Sequence, residues 1–179
     1  MIRFAIIFNS KTRRCQVIYT NKKEMEIFYM IGQITKIDRA ISKTFKFECS
    51  HRLNLNYGSP CLSLHGHSYK VKVTVYSNDL NKNGMIIDFV ELKEFQEYLD
   101  RIYDHSVIVN KQDTELLKFV KSTSQKYVEF ETNTTSEKIA ESLCTHFYEM
   151  FKDRINMRKL IVTVWETEKN EACFIIEEA

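Results

Sequence analysis

The chain has 179 residues, of which 44% are apolar and 28% charged; 26 basic side chains face 24 acidic ones, for a net charge of +2. That length supports one domain with a substantial core and is small for two. The charge balance gives no electrostatic case for nucleic acid or a membrane surface, no apolar run reaches transmembrane length, and five cysteines without regular spacing argue against a disulfide framework.

The longest early apolar run, "FAIIF", is too short for a signal-peptide core. The expected setting is therefore a reducing cytoplasm with free thiols. Residues 1–41 read as an N-terminal extension to which the sequence assigns no role. "MIRFAIIF" and "RCQVIYT" read as two short strands around the polar turn "NSKTRR", and "KKEMEIFYMIGQITKIDRAI" as a helix or a helix plus a strand.

Residues 42–179 form the readable domain. "KTFKFECSH" alternates, with Phe45, Phe47, Cys49 and His51 on one face of a half-buried strand. "HSYKVKVTVYS" alternates as well, placing Tyr69, Val71, Val73 and Val75 together. "NDLNKNG" is a turn by composition. Leu92, Phe95, Leu99 and Ile102 then recur at helical spacing. Residues 104–133 read as a long irregular connection, of the kind that often carries function. A second helix follows, with Thr134 and Glu137 in capping-box register and Ile139, Leu143, Phe147 and Met150 on one face. "KLIVTVWET" and "ACFIIEE" are two strands joined at "EKN". The order strand, strand, helix, helix, strand, strand predicts an α+β fold: a four-stranded antiparallel sheet with two helices on one face. Its exposed edges favour oligomerisation.

The chemistry concentrates in "SPCLSLHGHSYK", residues 59–70. In a strand, residues i and i+2 share a face, so His65 and His67 can bind one ion. His51, ending the preceding strand, is the candidate third ligand. Three neutral imidazoles with an open position suit a catalytic zinc. Spacing alone leaves a second reading open, that of hydrogen-bonded structural histidines. Cys49, Cys144 and Cys173 read as small buried hydrophobes, and His146 as structural. Cys61 differs, since it sits in a loop a few residues before two ligands, where a cation would favour its thiolate. Asp104 can hold His105 in one tautomer. Glu166 continues the apolar parity of Leu160, Val162 and Val164, and a carboxylate buried there needs a hydrogen-bond donor. A guanidine-like edge, such as the 2-amino and N3–H of a pterin, supplies one.

Six segments, "FKFECSHRL", "CLSLHGHSYKV", "GMIIDFVELK", "YDHSVIVN", "TTSEKIAESL" and "VTVWETEKN", occur in this order. Together they resemble the 6-pyruvoyl-tetrahydropterin synthase / 6-carboxy-tetrahydropterin synthase family over residues 43–179. The resemblance implies the tunnelling fold, assembled into an oligomeric β-barrel, commonly a hexamer built from two trimers. It implies Zn2+ on His51, His65 and His67, catalysis by Cys61, Asp104 and His105, and a pterin held by Glu166, with Thr135 and Ser136 beside it. Sites of this kind lie between subunits. The C-x-x-x-H-G-H spacing looks like that of the 6-carboxy enzymes feeding queuosine and deazapurine synthesis. "FECSH" in place of F-x-A-A-H, and the missing Pro before "TSE", are small departures.

The expected activity is a zinc-dependent lyase turning 7,8-dihydroneopterin triphosphate into 6-carboxy-5,6,7,8-tetrahydropterin, acetaldehyde and triphosphate. One rival is a 6-pyruvoyl-tetrahydropterin synthase of tetrahydrobiopterin synthesis. Another is a pterin-binding protein of the same fold without catalysis.

Overall fold

The computed structural model describes residues 4–9, 14–19 and 39–177. The chain divides into two compact units, Met1–Ile37 and Asp38–Ala179. In the first, β1 (Phe4–Asn9) and β2 (Arg14–Tyr19) pair antiparallel, as the two short apolar runs predict. The helix or helix-plus-strand expected over residues 22–41 falls mainly outside the described residues.

The second unit is built on two long strands, β3 (Arg39–His51) and β4 (His65–Ser77), paired antiparallel along their whole length. Alternation sets their faces. Phe45, Phe47, Cys49, Tyr69, Val71, Val73 and Val75 are buried, and the residues between them face outward. β7 (Lys159–Trp165) joins β4, and β8 (Glu171–Glu177) joins β7, both antiparallel. Over this sheet face pack α1 (Lys93–Ile102), through Phe95 and Leu99, and a longer helix, Ser136–Phe151, through Ile139, Leu143, Phe147 and Phe151. The predicted two-helix layer is therefore present.

The four-stranded expectation is incomplete. Residues 104–133 are not an irregular connection: they form β5 (Ser106–Asn110), α2 (Thr114–Ser122) and β6 (Tyr127–Phe130). β5 runs parallel to β3, and β6 parallel to β5, so the sheet is mixed and six-stranded in the order β6-β5-β3-β4-β7-β8. A parallel pair needs a crossover, and α2 supplies it. β5 is buried on both faces: Ile108 enters the main core, while Val109 meets Leu116 and Val120 of α2 in a second cluster. α2 thus lies on the face opposite α1 and the long helix, which becomes α3. The sheet of the single chain is open, ending at β6 and β8, rather than closed into a barrel.

Two local expectations also change. The cap of α3 is Thr135, one residue later than the capping-box register predicts, and no side chain caps it. Thr134 is buried and engaged elsewhere. Cys49 and Cys144 are buried, and burial raises both thiols, Cys144 to about 12. Cys173 is exposed rather than buried, because it takes the outward parity of β8.

Candidate metal centre and active site

The register of β3 on β4 places His51 directly opposite His65, and Cys49 opposite His67. The three imidazoles stand on one face at the sheet's end, with ring centroids 4.7, 5.2 and 4.8 Å apart. Their ligand atoms lie within 4.8 Å of one another. Gly66, between the two histidines of β4, sits opposite Ser50. A Cβ there would come within 3.2 Å of the Ser50 hydroxyl, so the smallest residue suits this turn of the pleat.

Two of the rings are oriented from behind. Nδ1 of His51 lies 2.8 Å from the Thr134 carbonyl oxygen and 3.2 Å from the Thr134 hydroxyl. Nδ1 of His65 lies 2.7 Å from the Ser63 carbonyl oxygen. A carbonyl can only accept, so each Nδ1 carries the proton and each Nε2 is left as a lone-pair donor. The Nε2 atoms of His51 and His67 are buried and have no hydrogen-bond partner. Orphaned nitrogens of this kind are costly unless something else engages them, and a cation bound by three neutral imidazoles would do so. The site therefore fits a zinc ion. Burial holds His67 below its usual pKa, which favours the neutral ligand form.

Glu166 follows the end of β7, opposite the fully buried Tyr69. Its Oε1 lies 3.2 Å from His51 Nε2, 3.4 Å from His67 Nε2 and 3.3 Å from the Tyr69 hydroxyl, which donates to it. On the outward face of the sheet, Lys46, Glu48, Ser68, Lys70 and Trp165 line a cavity of about 560 Å³ whose rim includes Glu166.

Cys61 lies in a single turn of 3-10 helix, Pro60–Leu62, and its amide donates to the Ser59 hydroxyl. Its carbonyl accepts from Leu53, which ties the loop back to the end of β3. The thiol is half-buried and lies within electrostatic reach of Tyr69.

Asp104 and His105 lead into β5. Asp104 Oδ1 accepts from the Glu48 amide at 2.8 Å, and Oδ2 lies 2.7 Å from His105 Nδ1. The bond from Glu48, followed by that from His105, holds Asp104 below the usual carboxyl range. His105 has a backbone φ of +55°, a strained conformation for a residue with a side chain. It lines a groove with His67, Ser106 and Gln125. Thr135 and Ser136 begin α3, next to Thr134. The structure thus groups His51, His65, His67 and Glu166 closely, with Cys61 in the adjoining loop and the Asp104–His105 pair just before β5, where His105 shares a groove with His67. Sequence reasoning missed Thr134 and Tyr69, which hold two members of the cluster. Tyr69 shared the apolar parity of β4 and read as core; Thr134 is 83 residues from His51, and no local pattern carries that contact.

A family model described as 6-pyruvoyl tetrahydropterin synthase matches residues 40–177. The chain belongs to this family. Among curated proteins, it is 34% identical over 160 residues to the 6-carboxy-5,6,7,8-tetrahydropterin synthase of Aquifex aeolicus, covering 74% of this chain and 94% of that one. It is 29% identical over 136 residues to the protein of the same name from Rickettsia conorii, covering 75% and 96%. Among solved structures, an uncharacterized Wolinella succinogenes protein matches with a TM-score of 0.65 at 23% identity, over 78% of this chain and 98% of that one. The 6-pyruvoyltetrahydropterin synthase of Plasmodium vivax matches at 0.62 and 18%, over 80% and 100%. These structural likenesses show the tetrahydropterin synthase fold in this chain.

Proposed function

We propose that this tetrahydropterin synthase-type lyase is zinc-dependent and converts 7,8-dihydroneopterin triphosphate into 6-carboxy-5,6,7,8-tetrahydropterin, acetaldehyde and triphosphate, a reaction serving queuosine and deazapurine synthesis. The observation that carries the reading is the histidine trio with its orphaned Nε2 atoms, in a chain whose curated relatives bear the 6-carboxy name.

His51, His65 and His67 would hold the Zn2+, whose chemistry is Lewis-acid polarisation of the substrate's side-chain oxygens. Glu166 accepts from the 2-amino and N3–H of the pterin ring, which sets the side chain's position. Thr135 and Ser136, at the start of α3, bind the substrate beside it. Cys61, as thiolate, removes a proton from the side chain. His105, kept in one tautomer by Asp104, carries protons at the other face. The open edges β6 and β8 pair with further copies of the chain to close a barrel, as a hexamer made of two trimers, with Cys61 of one subunit beside the Asp104–His105 pair of another. The setting is the cytoplasm; no helix among the described residues is long and apolar enough to cross a membrane. Residues 1–41 form an extension to this catalytic domain.

The test is direct. The purified protein is incubated with 7,8-dihydroneopterin triphosphate and the pterin formed is identified by mass spectrometry. 6-Carboxy-tetrahydropterin with released acetaldehyde supports the reading. A 6-pyruvoyl product without acetaldehyde assigns the chain to the other branch of the family, and an unchanged substrate overturns the enzymatic reading.

A further inference from the structure

We propose that Glu166 is a displaceable fourth ligand, closing the metal site when no pterin is bound and leaving it when the pterin arrives. The proposal rests on the zinc-site reading above and concerns what the carboxylate does between turnovers.

Two independent observations point to it. The first is distance. Zinc bonds to imidazole nitrogen and carboxylate oxygen run to about 2.0–2.2 Å, so two ligands at a tetrahedral angle stand roughly 3.4 Å apart. Glu166 Oε1 stands 3.2 Å from His51 Nε2 and 3.4 Å from His67 Nε2. Those approaches do not satisfy either nitrogen as a hydrogen-bond donor. The three imidazoles form a close group by themselves, and the Glu166 oxygen stands at ligand-to-ligand spacing from two of them. A tether holds the carboxylate there: the Tyr69 hydroxyl donates to the same oxygen at 3.3 Å. The phenol is fixed in turn, since Tyr69 is fully buried and stacks on Phe47 at 5.1 Å.

The second observation is a way out. Although it is held by its neighbours, 26% of the Glu166 side chain remains exposed. A ring that brings two N–H donors to the exposed part of the carboxylate competes with the imidazoles for it. The bond broken is Glu166 Oε1 to metal. The position it vacates would accept a neutral substrate oxygen, so the ligand number would be kept while the carboxylate's negative charge moves from the metal to the pterin N–H groups. A site with three imidazoles and this carboxylate would have its fourth position filled at rest and free it only for a molecule that draws Glu166 away.

The test uses cobalt, whose visible d–d bands report the ligand set. Co2+ is titrated into the full-length protein, wild type, Glu166→Gln and Glu166→Asp, and the bands and dissociation constants are recorded. Both variants are expected to shift the bands, because the amide is a poorer ligand and the aspartate is one methylene too short. Each is expected to weaken Co2+ binding by at least the roughly tenfold cost of losing an outer-shell partner. Adding 7,8-dihydroneopterin to the wild-type Co2+ protein is expected to shift its bands too, a measurement that needs no variant and can overturn the proposal even if a variant fails to fold. Variant spectra superimposing on wild type, or wild-type bands unmoved by saturating dihydroneopterin, overturn the fourth-ligand role while leaving the three-histidine site standing. A wild-type protein that takes up neither Co2+ nor Zn2+ overturns the site itself.

Discussion

His51 ends β3 and His105 leads into β5, the parallel strand beside it, yet the first side chain is 1% exposed and the second 80%. His51 is locked from behind by Thr134 and faces two further imidazoles and a carboxylate, all from the same chain. His105 has Asp104 on one side and otherwise meets solvent. The candidate metal cluster is assembled within one chain. The Asp104–His105 pair, proposed to move protons, is oriented but uncovered, and a proton-transfer group in open water would compete with solvent for its own proton. The difference teaches where assembly would act: covering His105 rather than building the metal cluster.

The strongest way to break this comparison is at the metal half. His67→Ala is expected to abolish stoichiometric zinc in metal analysis and to cut turnover by about a thousandfold or more, the equivalent of losing about 4 kcal/mol of charge stabilisation. Retained zinc would show that the trio is not one site. The next largest effect separates metal from chemistry. Cys61→Ala is expected to keep full zinc content while turnover falls by about 10²–10⁴. A parallel loss of zinc would instead make Cys61 a ligand.

Asp104→Asn sharpens the other half. It keeps the shape but removes the charge that fixes the His105 tautomer. Turnover is expected to fall on the order of a hundredfold, with zinc content unchanged and the acid limb of the pH–rate profile moved. An unaltered profile would remove the pair from the chemistry.

The smallest expected effect is on stability alone. Arg52, just after His51, donates to Asp113 twice, at 2.6 and 2.7 Å, and Asp113 also caps α2 through the Leu116 amide. The Arg52 guanidinium holds the Asp113 carboxyl below its ordinary value. A depressed folded value means the stabilisation is complete above the unfolded pKa, near pH 4, and is lost as pH falls through the lower folded value. Asp113→Asn is expected to lower stability by about 2 kcal/mol at neutral pH, from the lost bidentate ion pair, since Asn caps a helix about as well as Asp. That is a Tm drop of roughly 6 °C, and the gap to wild type should close in acid. Zinc content should not change. A gap that persists below the carboxyl range would show that the ion pair is not its source.

Alternation along β3 and β4 was strong enough for the sequence alone to determine the two long strands, their buried faces and the shared face of His65 and His67, because thirteen-residue strands leave little ambiguity of period. The layer of two helices followed from equally long patterns. Residues 104–133 were illegible for the opposite reason. A strand of five residues, a helix of nine and a strand of four are each too short for periodicity to decide, and β5 is apolar on both faces, which removes alternation altogether. Likewise, the parity of Glu166 was readable, but not that its oxygen lies against two imidazoles and a phenol. Those contacts join residues about a hundred positions apart, and strand register, a property of the folded sheet, decides them.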